Sequence, residues 1–489
     1  MRKIILGALC ALAVLYIVML IPEVKPQQNF SGDDRSPFAW NQDDYWQLLE
    51  DKFLTARQAD AVELEKRIDG GLLRLKHLNE LIAGRVYSAE DTIFDKIETT
   101  LFELSPEIAA HPLRFKDLLA EFNDLRKSLK VQSCKWDMDD GIVRDRMYRL
   151  LYGGRTAIEQ IMMQESRDLI SALTTVENVA SATPCAMVLG VPIHSGDILV
   201  SRGGAPTSAL IARGNDYPGN FSHTALVYID AKTSLISILE AHIEKGETIS
   251  TLEQYLSDTK LRVMALRLRP DLPALVNDPM LPHKAAALAL ERSKRRHIPY
   301  DFQMDFSDTS KFFCSEVVSD AYRRVGIDLW MGLSHISAPG VKSWLSAFGV
   351  KYFRTQEPSD LEYDPQLIVT AEWRDPETLY KDQLDNAVVD VMLEGAEKGE
   401  SLRYDCYLLP ISRLLKFYSV ILNRLGKEGP VPEGMSAVSA LRNKWFSSLH
   451  EKIKVRTEIM VDEFKKNNGY TPPYWEMVKL AREAKKAVN

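Results

Sequence analysis

The chain has 489 residues, 45% of them hydrophobic and 26% charged, and its 61 Lys+Arg against 68 Asp+Glu leave a formal charge of −7. This composition excludes wholesale disorder, a collagen-like repeat and a small disulfide scaffold, and the length allows two to three domains at about 150 residues each. A mildly acidic chain with no long basic run is not built to hold nucleic acid.

Arg2 and Lys3 precede an uncharged apolar run from Ile4 to Ile21. That run reaches the lower length limit for a membrane-spanning helix, and no small-x-small cleavage site follows it. Residues 1–21 therefore predict a single-pass N-terminal membrane anchor. The basic N-terminus would face the cytoplasm and the bulk would be extracytoplasmic, in a periplasm-like space. The alternative is a cleaved signal and a secreted or periplasmic protein. With the anchor retained, a membrane is the expected partner through the N-terminal helix, and the sequence is silent on oligomeric state.

Residues 22–42 are polar and proline-bearing and read as a linker. Residues 43–180 are dominated by helical patterns. Ile68, Leu72, Leu75, Leu78 and Ile82 recur at spacings of three and four and share one helix face, and Ile142 to Met163 suggests another helix. The pattern changes over residues 184–350. Gly196–Val200, His223–Ile229, Leu235–Ala241 and Leu261–Leu268 are short, apolar and bounded by turn formers, as strands are. The second and third follow at hairpin spacing, which favours antiparallel pairing. Helices are predicted at about His283–Arg296 and Cys314–Val325. Residues 351–489 read as mostly helical, including an amphipathic Leu408–Leu425 and a long helix at about Ser436–Phe464. Ser201–Asn220, with four glycines, is the expected lid.

Three residues on these elements suit nucleophilic catalysis. Cys314 opens a helix, where the dipole favours a thiolate. The free N–H groups of Cys314 and Ser315 could hold an oxyanion there. His223 opens a strand and suits a general base. Glu240 lies near the end of the next strand and could orient the imidazole; His242, two residues on and on the same strand face, is its substitute. No CxxC and no Cys/His cluster with zinc spacing occurs, so no metal and no organic cofactor is expected. A disulfide among Cys134, Cys185 and Cys406 is compatible with an oxidising compartment.

Taken in order, Gly196-Asp-Ile-Leu199, Phe221-Ser-His-Thr-Ala-Leu-Val227, Leu239-Glu-Ala241, Pro299-Tyr-Asp301 and Phe313-Cys-Ser-Glu-Val-Val318 resemble the YiiX/YebB-like family of permuted papain-fold cysteine amidases, within the NlpC-type superfamily. In that group the histidine strand precedes the cysteine helix, as here. The resemblance implies an α+β fold: a permuted papain-like core with a small antiparallel sheet and a Cys-bearing helix, flanked by N- and C-terminal helical regions. It implies Cys314 as nucleophile, His223 as base, Glu240 as third member and Tyr300 as a substrate-binding residue. The implied activity is hydrolysis of amide or ester bonds through a Cys314 thioester. The superfamily's relatives of lecithin–retinol acyltransferase act on lipid acyl groups, so lipid-linked or acylated small substrates are expected, and acyl transfer is a related outcome. Cleavage of peptidoglycan peptides and a non-catalytic membrane-tethered scaffold are the alternatives.

Overall fold

The computed structural model describes residues 10, 13–21, 35–164, 170–177 and 179–488. Eleven strands occur among them: β1 (Leu173–Thr175), β2 (Cys185–Val188), β3 (Val191–His194), β4 (Ile198–Gly203), β5 (His223–Ile229), β6 (Ile236–His242), β7 (Gly246–Thr251), β8 (Lys260–Leu268), β9 (Ser334–His335), β10 (Arg354–Thr355) and β11 (Leu367–Trp373). Seven form one sheet in the order β1-β11-β8-β4-β5-β6-β7, and every pairing is antiparallel. The expected antiparallel sheet is thus present, and it is larger than the four predicted strands. Its outer strands β1 and β11 come from segments before and after residues 184–350.

The helix Cys314–Arg323 packs on the sheet through Val317, Val318, Ala321 and Tyr322, all fully buried against Ile198, Leu226 and Leu239. The turn into β4 is set by Gly196 at φ +97°, where a Cβ would collide with Pro282. The Tyr322 hydroxyl donates to the Gly196 carbonyl and ties that turn to the cysteine helix.

The helical flanks are joined to this core by buried charge. In the helix Gly154–Met162, Arg155 and Glu159 sit one turn apart, both almost fully buried. Glu159 accepts from Arg155 at 3.1 Å, from Arg262 of β8 at 2.7 and 3.0 Å, and from Arg374 just after β11 at 2.8 Å. Arg155 also holds Glu362 through two bonds of 2.8 and 2.9 Å. On the other side, Asp382 of the helix Pro376–Glu397 contacts Arg202 of β4 at 3.2 Å and Arg262 at 2.6 Å. Burial opposes ionisation of Glu159, but Arg262, Arg155 and Arg374 outweigh it and hold the carboxyl far below the usual range.

Several expectations are corrected. The single-pass anchor is overturned: among the described residues no helix is long and apolar enough to cross a membrane. Residues 13–19 are helical, and 1–9, 11 and 12 lie outside the described residues, as does most of the 22–42 linker. The localisation built on that anchor falls with it. The segment expected as a lid lines the cleft of Cys314 with residues 203–208 and has regular structure of its own. Residues 201–220 contain the helix Pro206–Arg213, and Arg213 donates to the Pro218 and Gly219 carbonyls at 3.1 and 3.3 Å. The Asn220 amide oxygen accepts from Arg155, and the Phe221 N–H donates to Ser359 at 3.0 Å. Cys134, Cys185 and Cys406 are free thiols and form no disulfide.

Candidate active site

β5 and β6 form a hairpin whose register pairs Ala225 with Glu240. Two residues toward the open end, His223 and His242 bring their rings to 5.5 Å, with Glu240 between them on the diagonal. His223 Nε2 lies 2.8 Å from Glu240 Oε2, and His242 Nε2 lies 3.1 Å from Glu240 Oε1. Ser250 of the neighbouring β7 donates to the same Oε1 at 2.6 Å. A carboxylate only accepts, so the His223 proton sits on Nε2 and its Nδ1 carries the lone pair.

Cys314 begins its helix below this hairpin and is buried. Its Sγ is 3.9 Å from the Ser222 carbonyl, next to His223 in the chain. The start of the helix is fixed by Glu316, whose carboxyl accepts from the Phe313 N–H at 2.9 Å and satisfies the donor ahead of the first turn. Cys314, His223, Glu240, His242 and Tyr300 line a single cleft of about 900 Å³. Tyr300 also belongs to the wall of an adjoining cavity of about 960 Å³. These five residues singled out in the sequence therefore line one cleft, and Ser315, next to Cys314 in the chain, is buried behind it.

The electrostatics differ from those of a resting ion pair. Burial pushes the Cys314 thiol up to about 11; hydrogen bonds from the Thr224 backbone and from Ser315 oppose this, and the nearby Glu357 adds to it. Burial pulls His223 below its ordinary value, against the hydrogen bond and charge of Glu240. Burial raises Glu240, but the bonds from His223 and His242 prevail and hold it far below the usual carboxylate range. Burial likewise pushes Glu316 up to about 9, helped by Asp301, Asp305 and Asp308. Burial thus favours the neutral forms of the Cys314 thiol and the His223 imidazole, while the bonds from His223 and His242 favour the charged form of Glu240.

His223, Glu240 and His242 also present ligand atoms within 4.8 Å of one another, a spacing that a divalent cation could use. Sequence reasoning missed Ser250 and Glu357. Ser250 sits in a strand too polar to read as one, and Glu357 approaches from a short 3₁₀ segment with no motif around it.

Comparison with known proteins bears on this cleft. Residues 192–369 match the permuted papain-like amidase enzyme family, YaeF/YiiX, C92. The matched segment contains His223, Glu240, Tyr300 and Cys314, and it is similar to a family of amidase-type enzymes. A solved structure described as the crystal structure of metalloprotein yiiX from Escherichia coli O157:H7 is 20% identical, covering 36% of this chain and 94% of that chain at a TM-score of 0.29. No curated protein matches the chain.

Proposed function

We propose that the protein is a cysteine hydrolase that cleaves an amide or ester bond through a thioester on Cys314. The observation that carries this reading is the His223–Glu240 hydrogen bond, made through Nε2 in the cleft that Cys314 also lines. It leaves Nδ1 as the base for the thiol. As the sulfur attacks the substrate carbonyl, its proton passes to Nδ1, and Glu240 stabilises the imidazolium that forms. The Cys314 and Ser315 N–H groups at the helix start receive the oxyanion. The imidazolium then protonates the leaving amine or alcohol, and neutral His223 activates water to hydrolyse the thioester. Tyr300, on the wall shared by the two cavities, positions the acyl or leaving group.

The substrate class proposed is a lipid-linked or otherwise acylated small molecule, with peptidoglycan peptides as the competing class. Incubation with acylated amino acids, phospholipids and muropeptides, read by mass spectrometry, separates the two. Trapping a mass adduct on Cys314 that disappears in Cys314→Ser tests the thioester; turnover without any adduct in the wild type and undiminished in Cys314→Ala would refute it.

The cluster of His223, Glu240 and His242 favours one second reading, in which these residues hold a divalent cation. The two make opposite predictions. If His223 is the base, added zinc inhibits and a chelator does not. If the cation is needed, a chelator abolishes turnover and zinc restores it.

A further inference from the structure

The helix Leu409–Arg424 is built inside out for a protein surrounded only by water. Its buried positions include serines: Ser412 donates to the Ala437 carbonyl at 2.9 Å, and Ser419 accepts from the Val431 N–H at 2.9 Å. Its exposed positions are large and apolar. Ile411, Leu414, Phe417, Tyr418, Ile421 and Leu425 form one continuous face, with Phe417 67% exposed. Monomeric proteins in water keep contiguous apolar patches of this kind small.

Two further observations indicate what covers it. From Cys406 to Lys427 the chain has no acidic residue and carries Arg413, Lys416, Arg424 and Lys427. A basic amphipathic helix of this design suits an anionic lipid surface. Beside it runs the apolar N-terminal segment: Arg413 donates to the Met19 and Ile21 carbonyls at 2.9 and 2.8 Å, and the Tyr16 hydroxyl donates to the Tyr407 carbonyl at 3.0 Å. Val14, Ile17 and Val18 there are exposed as well, so the two segments form one apolar surface.

We infer that the helix Leu409–Arg424 and the adjoining residues 13–21 form a face that lies in the plane of an anionic membrane surface without crossing it. The placement matters to the cleft. The chain entering this helix, Leu402–Tyr404, lines the cavity next to Tyr300, and the chain leaving it supplies Glu428, Pro432 and Met435 to the cleft of Cys314. Docking through this face therefore sets both cavities beside the lipid headgroups.

The test is co-sedimentation of the full chain with vesicles of phosphatidylcholine alone and of phosphatidylcholine mixed with phosphatidylglycerol. The wild type should pellet with the mixed vesicles and be released by salt, and Leu414→Glu/Phe417→Glu/Ile421→Glu should weaken that binding by on the order of 100-fold. These side chains are exposed, so the triple variant should keep its melting temperature. Cys314→Ala should pellet like the wild type, which separates this inference from the proposed hydrolase activity. Wild type that stays in the supernatant overturns the inference. So does binding that the triple variant leaves intact, or a dimer in light scattering that the triple variant dissolves without any vesicle binding.

Discussion

Two regions of this protein bury charge, and they do so with different partners. At the joint between flanks and core, Glu159, Glu362 and Asp382 face arginines, which stay protonated at every pH the protein meets. In the cleft, Glu240 faces two imidazoles and a serine, with a thiol on the same wall. The arginines of the first arrangement keep their charge across the neutral range, so these pairs help to fix the shape of the molecule. The second brings imidazoles and a thiol together, the side chains that general-base and nucleophilic chemistry draw on. The flanks thus act as part of the frame that holds the cleft.

The contrast is broken most sharply by removing the sulfur. Cys314→Ala should lower hydrolysis by on the order of 10³-fold or more, because the nucleophile has no substitute, while the melting temperature stays close to that of the wild type. A variant that keeps wild-type turnover would show that the cleft works by other means. At the joint the expected loss is of fold. Glu159→Gln leaves Arg155, Arg262 and Arg374 buried around a neutral group and should cost about 3–5 kcal/mol in a urea titration. The native carboxyl titrates below its ordinary value of 4.5, so its stabilisation is complete above that pH and is lost as pH falls below it. Wild type should therefore unfold in mild acid with lower urea midpoints, and Glu159→Gln should show less of that dependence.

Much of the cleft was legible in the sequence because its signals are local. The strand His223–Ile229 ends where the apolar run ends, and hairpin spacing alone brings Glu240 within reach of His223. The helix at Cys314 is announced by its apolar stripe and by Gly326, which takes a positive φ just past its end. What was not legible depends on distant partners. Leu367–Trp373 has a strand's composition, yet it lies in a polar stretch and pairs with β8, with several helices between them in the chain. Gly246–Thr251 is an edge strand rich in hydroxyls and lacks the apolar alternation of a half-buried one, so Ser250 gave no hint of its bond to Glu240. Arg155 and Glu159 stand four apart, the spacing of an ordinary solvated pair on a helix surface. Only the packed core reveals that both are buried. The apolar run at the N-terminus misled for a related reason: hydropathy measures affinity for an apolar medium and does not distinguish crossing a membrane from lying against one.

The proton on the sulfur gives a graded test. With Cys314 raised to about 11 by burial, the thiolate fraction at pH 8 is about 10⁻³. The alkylation rate of the peptide carrying Cys314, followed by mass spectrometry to separate it from the exposed cysteines, should climb about tenfold per pH unit from 7 to 10. A plateau beginning at or below neutral pH would instead reveal a preformed thiolate–imidazolium pair and would move the site toward the behaviour of its joint, with two fixed charges.

The smallest effect is expected at the cleft's own buried carboxylate, the kind of group that both regions contain. Glu240→Gln retains an oxygen that accepts from His223 Nε2, so the ring keeps its orientation and Nδ1 stays free to act as the proposed base. What is lost is the negative charge that stabilises the imidazolium, and turnover should fall by about tenfold, less than for a variant that also loses the acceptor. The same charge and hydrogen bond raise His223 against the burial that lowers it. Removing the charge should therefore drop the His223 pKa further, and the acid limb of kcat/KM should move to lower pH. A limb that stays in place, or moves upward, would mean that Glu240 does not act through His223 and is held in the cleft by His242 and Ser250 for structural reasons alone.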